Sequence, residues 1–155
     1  MKKIILIIYL TLVSANCKAQ NNTIHSSEIT INGTQFFGKE VSLVTQHFGQ
    51  PNSVEDYYFE MDDVMSQKYN YNGIIFTAIN NRTYSFEITG SNYTFTSNNI
   101  KVGDNISTLQ SIYPLSYANK NNGGLALPLE DMDLFFVISF NNSTGLINKI
   151  AIYSY

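Results

Sequence analysis

A stretch of eleven residues recurs sixty-five positions further along the chain, and this repeat constrains the fold more than any other feature. Residues 38–48 and 103–113 each begin with glycine, continue with apolar residues at similar spacing and reach an aromatic residue ten positions later. A proline follows each copy, Pro51 in the first and Pro114 in the second. Because the glycine, the apolar spacing and the proline agree together, the pattern predicts a duplicated supersecondary unit.

The first copy predicts a short amphipathic helix over residues 39–48. Val41, Val44 and Phe48 follow the i, i+3, i+7 spacing of one helical face. Gly49 can adopt the left-handed conformation that ends a helix. The second copy predicts an equivalent helix over residues 104–113, with Pro114 as its stop.

After each predicted helix the hydrophobic period changes to two, which is the period of a β-strand. The predicted strands cover residues 53–61, 67–79, 83–89, 93–97, 125–129, 134–140 and 146–155. We therefore predict an α+β fold, a tandem repeat of a short helix followed by antiparallel strands, with the helices packed on one face of a curved antiparallel sheet. Residues 29–155 form one predicted domain with two halves, about 29–97 and 98–155.

The N-terminus is typical of an exported protein. Lys2 and Lys3 precede an apolar run that is too short to span a bilayer, and small and polar residues follow it. This order predicts a signal peptide over residues 1–19, with cleavage between Ala19 and Gln20. Residues 20–28 then form a predicted loose polar leader.

Cys17 leaves a second kind of processing open. If it is lipidated, the chain becomes a lipoprotein of the outer membrane; if it is removed with the signal peptide, the protein is free in the periplasm or outside the cell. Cys17 is the only cysteine. Cleavage after Ala19 therefore excludes disulfides, a thiol nucleophile and cysteine-ligated zinc.

The charge balance argues against nucleic acid as a partner. Removal of the signal peptide takes three of the nine basic residues and none of the twelve acidic ones. Nucleic acids and anionic membranes both need clustered lysine and arginine. Membrane contact is therefore expected only if Cys17 carries lipid.

No pattern in the sequence predicts a catalytic, cofactor or metal site. His47 lies on the predicted helix without a paired nucleophile and is interpreted as a surface residue, and His25 falls in the leader. Acidic clusters occur at residues 55–56, 60–63 and 130–133. They lack the ligand spacing and glycine of a calcium loop and are interpreted as solvated turn residues rather than as paired catalytic carboxylates.

The first repeat copy resembles a known family of exported proteins. The spacing of its glycines, apolar residues and proline is similar to that of the β-lactamase-inhibitor-like and SmpA/OmlA outer-membrane-assembly proteins, and the matching residues are Gly38, Val44, Phe48, Gly49 and Pro51. The resemblance implies a short helical element followed by an antiparallel sheet, present twice in tandem. The second copy departs from the family, because Pro114 replaces its second glycine.

The resemblance also implies a protein-binding module rather than an enzyme, with aromatic contacts on the sheet face opposite the helices. The chain has 11 tyrosines and no tryptophan, and tyrosine is a favoured contact residue. The candidate contact residues, which alternatively flank the core, are Tyr57, Tyr69, Tyr71, Phe135 and Tyr153. An envelope scaffold component and an enzyme or small-ligand carrier without a recognisable motif stay open as alternatives.

Overall fold

A seven-stranded antiparallel sheet forms the centre of the computed structural model, which describes residues 22–59 and 63–153. Its spatial order is β1-β2-β3-β4-β7-β6-β5. The strands are β1 (Ser53–Phe59), β2 (Val64–Tyr71), β3 (Ile74–Ile79), β4 (Arg82–Ile88), β5 (Gly124–Pro128), β6 (Phe135–Phe140) and β7 (Ile147–Tyr153). The α+β class and the antiparallel sheet are confirmed. The predicted signal peptide, including Cys17, lies outside the described residues.

The first predicted helix is confirmed as α1, Val41–Phe48. Val44 is fully buried, and the Phe48 ring centroid lies 5.5 Å from that of Phe76 on β3. Gly49 ends the helix with φ 81°, a conformation in which a side chain would be strained. The apolar face therefore packs on the sheet as its spacing predicts.

The second predicted helix, residues 104–113, is wrong. A 3₁₀ helix covers Ile106–Gln110, and a separate helix α2 covers Pro114–Ala118. Pro114 begins α2 because the first turn of a helix has no need of the N–H group that proline lacks. Ile106 and Leu109 are still buried, since an i, i+3 pair also shares one face of a 3₁₀ helix.

Two predicted strands also need correction. Residues 67–79 do not form one strand, because a turn at Asn72 and Gly73 separates β2 from β3, and Gly73 has φ 79°. Residues 93–97 form no continuous strand. Phe95 makes only isolated bridges there.

The described part of the polar leader is packed rather than loose. Ile24 is 1% exposed. Its N–H group donates to the carbonyl oxygen of Pro128 at 3.0 Å, and its own carbonyl accepts the N–H of Glu130 at 3.0 Å. Residues 22–28 therefore belong to the folded unit and cover part of the β5 edge.

The repeat glycines occupy similar backbone environments. Each begins a set of three backbone hydrogen bonds to the start of the last strand of its own half. In the first half, Gly38 N donates to Thr83 O at 2.8 Å, Thr83 N to Lys39 O at 2.8 Å, and Val41 N to Asn81 O at 3.0 Å. In the second half, Gly103 N donates to Ile147 O, Ile147 N to Asp104 O, and Ile106 N to Gly145 O, each at 2.8 Å. The halves differ beyond these bonds, since four strands follow α1 and three follow α2.

One hydrophobic core joins the two halves on one face of the sheet. β4 and β7 share only two residue pairs at the boundary, Glu87 with Ala151 and Ile88 with Ile150. Aromatic packing continues across it, because the Phe86 and Phe136 ring centroids are 5.7 Å apart. The halves are therefore joined both by the pairing of β4 with β7 and by the shared core.

Candidate functional site

The β1–β2 hairpin extends beyond the rest of the sheet. β1 and β2 pair along their length to Phe59 and Val64, whereas β3 begins to pair with β2 only at Gln67. The outer part of the hairpin, called the ribbon below, is therefore two-stranded and comprises residues 57–59 and 64–66. A two-stranded ribbon has no third strand to shield its side chains.

Exposed hydrophobic side chains concentrate on this hairpin. In the described part of the chain, seven large hydrophobic residues are exposed, and four of them belong to β1 and β2: Val54, Tyr57, Tyr58 and Met65. Tyr58 and Met65 are directly opposite each other and are 48% and 58% exposed. Sequence reasoning did not select Val54, Tyr58 or Met65, because alternation along a strand does not show where the covering elements end.

Tyr58 is held in place by an acidic neighbour. Its hydroxyl donates to the carboxylate of Asp63 in the turn that joins the two strands. This hydrogen bond, with a smaller contribution from burial, raises the pKa of the Tyr58 hydroxyl. The hydroxyl therefore stays neutral in ordinary conditions and orients an exposed aromatic ring at the ribbon surface.

Tyr57 lies on the opposite face of the hairpin. The ammonium group of Lys68 is 3.7 Å from the centroid of its ring, a cation–π contact. The Ser66 hydroxyl donates to the Tyr57 carbonyl oxygen at 2.8 Å. Tyr57 is still 42% exposed, so both faces of the ribbon present an aromatic ring.

The hairpin is acidic. The Glu55 carboxylate accepts the Asn70 amide at 2.9 Å, and the Asp56 carboxylate accepts the Gln67 amide at 3.2 Å. Neither carboxylate forms an ion pair with a described residue. Glu55 and Asp56 lie within β1 rather than in a turn, which corrects the interpretation from the sequence.

The five predicted contact residues do not form one surface. Tyr69 and Tyr71 are opposite the buried residues Phe76 and Ile74, and directly opposed residues project to the same face of a sheet. Both tyrosines pack against the core, and burial is the main cause of the raised pKa of Tyr71. They therefore lie on the helix-covered face, on the other side of the sheet from Tyr57.

Phe135 and Tyr153 lie far from Tyr57 along the sheet. They are opposite each other on β6 and β7, and the side chain of Phe135 is half-buried on the face away from the core. Four strands separate β1 from β6, a distance of about 24 Å at the usual strand spacing. Phe135 instead lines a shallow groove of about 350 Å³ beside Met132 and Pro128.

His25 links Ser27 to Asp131 in an order that resembles a catalytic triad. Its Nδ1 lies 2.8 Å from Ser27 Oγ, and its Nε2 lies 3.5 Å from Asp131 Oδ2. Nδ1 also accepts the Ser27 N–H at 3.2 Å and so caps a 3₁₀ helix. The Ser26 N–H donates to Asp131 at 2.8 Å, so neither serine N–H is available to stabilise an oxyanion. This cluster of His25, Ser26, Ser27 and Asp131 holds the N-terminal segment against the loop between β5 and β6.

His47 is exposed on α1, as predicted, and its ring packs against Phe36. The described residues contain no cluster of three or more side chains able to hold a metal ion. Within the same residues, no helix has the length and apolar character needed to cross a bilayer.

Comparison with known proteins gives only distant structural likeness. No protein-family model matches the sequence, and no curated protein matches it. A cysteine-rich secretory protein from Staphylococcus aureus subsp. aureus Mu50 is similar over 77% of this chain and 43% of its own, with 13% identity and a TM-score of 0.49. An extracellular protein containing an SCP domain from Bacillus anthracis str. Ames is similar over 77% and 44%, with 7% identity and a TM-score of 0.44. This chain thus spans less than half of each protein, and likeness at this level carries no inference about function.

Proposed function

We propose that this chain is an exported, non-catalytic protein-binding module that contacts its partner through the β1–β2 hairpin. The observation that carries the proposal is the concentration of exposed hydrophobic residues there, with Tyr58 and Met65 side by side. Exposed aromatic and methionine side chains are favoured at protein interfaces and are costly to leave in water. A protruding ribbon also suits binding better than catalysis, since it has no concave wall to exclude water.

We further propose that the two halves derive from one duplicated unit, as in the β-lactamase-inhibitor-like family. The similar hydrogen bonds that follow Gly38 and Gly103 support this proposal. Both glycines have positive φ, 73° and 98°, which gives a physical reason for glycine to recur in both copies.

The proposed location is the periplasm or the exterior, and it rests on the signal peptide predicted from residues 1–19. The N-terminus of the natural protein tests it by mass spectrometry. A chain that begins at Gln20 supports export without an anchor, whereas a diacylated or triacylated Cys17 supports an envelope lipoprotein.

The binding proposal is tested with a hairpin variant and a matched control. Tyr58→Ser with Met65→Ser removes the adjacent pair on the ribbon. Leu115→Ser with Leu146→Ser removes two residues that are 61% and 44% exposed elsewhere. Each protein is immobilised and incubated with an envelope extract of the organism that makes it, and bound proteins are identified by mass spectrometry.

The partner captured by the wild type is then purified and its affinity for each variant is measured. We expect the hairpin variant to bind about thirtyfold more weakly, corresponding to about 2 kcal/mol, because interface hot spots are aromatic and central. The control variant should bind as the wild type does. Equal loss in both variants, or no loss in the hairpin variant, would contradict a binding site on the hairpin.

A further inference from the structure

We propose that the open edge of β1 accepts an extended, basic segment of the partner protein as an additional β-strand. This inference rests on the proposed function and specifies both the mode of binding and the chemistry of the partner. It depends on three observations: the pairing of β1, the charge of the hairpin and the protection of the opposite edge of the sheet.

The outer edge of β1 is unpaired within the described chain. β1 stands first in the strand order and pairs only with β2. Its seven residues correspond to an edge about 23 Å long. β1 contains no proline and no lysine, two of the residues with which proteins commonly block such edges.

The opposite edge of the sheet is protected. β5 ends at Pro128, which has no N–H group to offer a new strand. Ile24 makes hydrogen bonds beside it to Pro128 and Glu130. The edge of the sheet at β5 is therefore covered at one end, whereas β1 pairs with no described strand other than β2 along its whole length.

The charge of the hairpin specifies a basic partner. Five of the twelve acidic residues of the chain fall within nine positions, at Glu55, Asp56, Glu60, Asp62 and Asp63. Lys68 is the only basic residue between positions 53 and 71, and its ammonium group lies over the Tyr57 ring. Lysine or arginine on an incoming strand would therefore meet the carboxylate of Glu55 or Asp56, neither of which forms an ion pair with a described residue.

The same charges disfavour a second copy of this chain at the edge. In an antiparallel pair of two β1 strands centred on Asp56, the two Asp56 carboxylates face each other and the two Glu55 carboxylates lie close by. Like charges directly opposite each other destabilise a sheet. A strand with alternating basic and aliphatic residues avoids this repulsion, because its basic side chains would lie on the face that carries Glu55 and its aliphatic side chains on the opposite face, beside Val54 and Tyr58.

A synthetic peptide tests the proposal directly. The probe is an acetylated and amidated Lys-Val-Lys-Val-Lys-Thr-Lys peptide, titrated into the isotope-labelled mature chain and followed by amide NMR shifts. One control peptide replaces each lysine with glutamate. A second carries methyl groups on two consecutive central backbone nitrogens, which blocks hydrogen bonding along both edges of the strand without changing the charge.

We expect shifts centred on the β1 amides and tight binding only for the unmodified basic peptide. Methylation should weaken binding by about tenfold or more, since strand addition depends on main-chain hydrogen bonds. Glu55→Lys with Asp56→Lys should also weaken it by about tenfold or more, because cross-strand attraction at Glu55 becomes repulsion and the change at Asp56, on the other face, adds a further positive charge beside the peptide. Glu130→Lys with Asp133→Lys, the same change of charge near the closed edge, should leave the affinity within about twofold.

The possible outcomes separate the two proposals. Equal binding of the methylated peptide, or shifts spread over the acidic surface, would overturn strand addition and leave only charge attraction. Failure of the basic peptide to bind, while capture of the natural partner still depends on Tyr58 and Met65, would overturn strand addition and leave the binding function standing. Analytical sedimentation could also show that the wild type forms a dimer and that the Glu55→Lys and Asp56→Lys variant does not. A second copy of this chain would then occupy the β1 edge, which would overturn the proposal of a basic partner.

Discussion

Replacement of Leu109 by alanine tests whether the irregular second helical segment stabilises the fold as strongly as a regular helix would. Leu109 is fully buried and packs in the cluster that joins both halves. Truncation of a buried leucine to alanine costs about 2–5 kcal/mol, and the cost depends on how far the site collapses. We expect about 3 kcal/mol, because Leu109 sits on a short 3₁₀ helix that can relax more than a long α-helix.

The matched control is Leu115→Ala, the same chemical change at a residue that is 61% exposed. We expect it to cost less than about 0.5 kcal/mol. Urea unfolding followed by circular dichroism gives both free energies, with equal slopes expected for both variants. A loss of 3 kcal/mol would lower Tm by about 10 °C in a domain of this size. A loss below about 1 kcal/mol for Leu109→Ala, or equal losses in the two variants, would refute the packing argument.

Three further predictions concern Gly38, the hydrogen-bonded cluster at Asp131 and the junction of the halves. Gly38 has φ 73° and open space around it. Gly38→Ala should therefore lower the free energy of unfolding, measured in urea, by about 1–2 kcal/mol, because alanine is strained in this backbone conformation. Gly38→Asn should lower it measurably less, since asparagine adopts this conformation more readily. The hydrogen bond from the Ser26 hydroxyl is the largest cause of the lowered pKa of Asp131. Because this pKa is lower in the folded protein than in the unfolded chain, the hydrogen bond stabilises the fold at neutral pH. This stabilisation is lost as the pH falls below 3.8. The difference in stability between the wild type and Asp131→Asn should accordingly shrink in acid, and a constant difference at all pH values would exclude this linkage. Ile150→Ala should lower the free energy of unfolding by about 2–4 kcal/mol. It should also lower the protection of amide protons from exchange equally in β3 and β6. Loss of protection confined to β6 would mean that the halves unfold separately.

The sequence predicted α1 correctly because its signals are local. The spacing of Val41, Val44 and Phe48 and the position of Gly49 all lie within a few residues of one another. The signals around Pro114 were equally local but ambiguous. Proline can end one helix or begin the next, and the spacing of Ile106 and Leu109 suits either an α-helix or a 3₁₀ helix.

The predicted contact face required information that alternation within a strand does not contain. Tyr57 is paired with Ser66, so it shares a face with the even-numbered positions of β2 rather than with Tyr69 and Tyr71. The connection between β1 and β2 sets this register, and a shift of one residue would have brought the tyrosines together. The buried partners Ile74 and Phe76 then decide which of the two faces the helices cover.

The two halves are similar where they begin and different where they end, and the difference bears on function. Gly38 and Gly103 begin similar sets of backbone bonds, which fix each glycine turn against the last strand of its half. The outer edges differ, because Ile24 and Pro128 close the edge beside β5 while β1 extends past β3 with its edge open. Since a closed edge cannot accept a strand and an open acidic edge can, the proposed binding site lies at the end of the sheet where the two halves differ most.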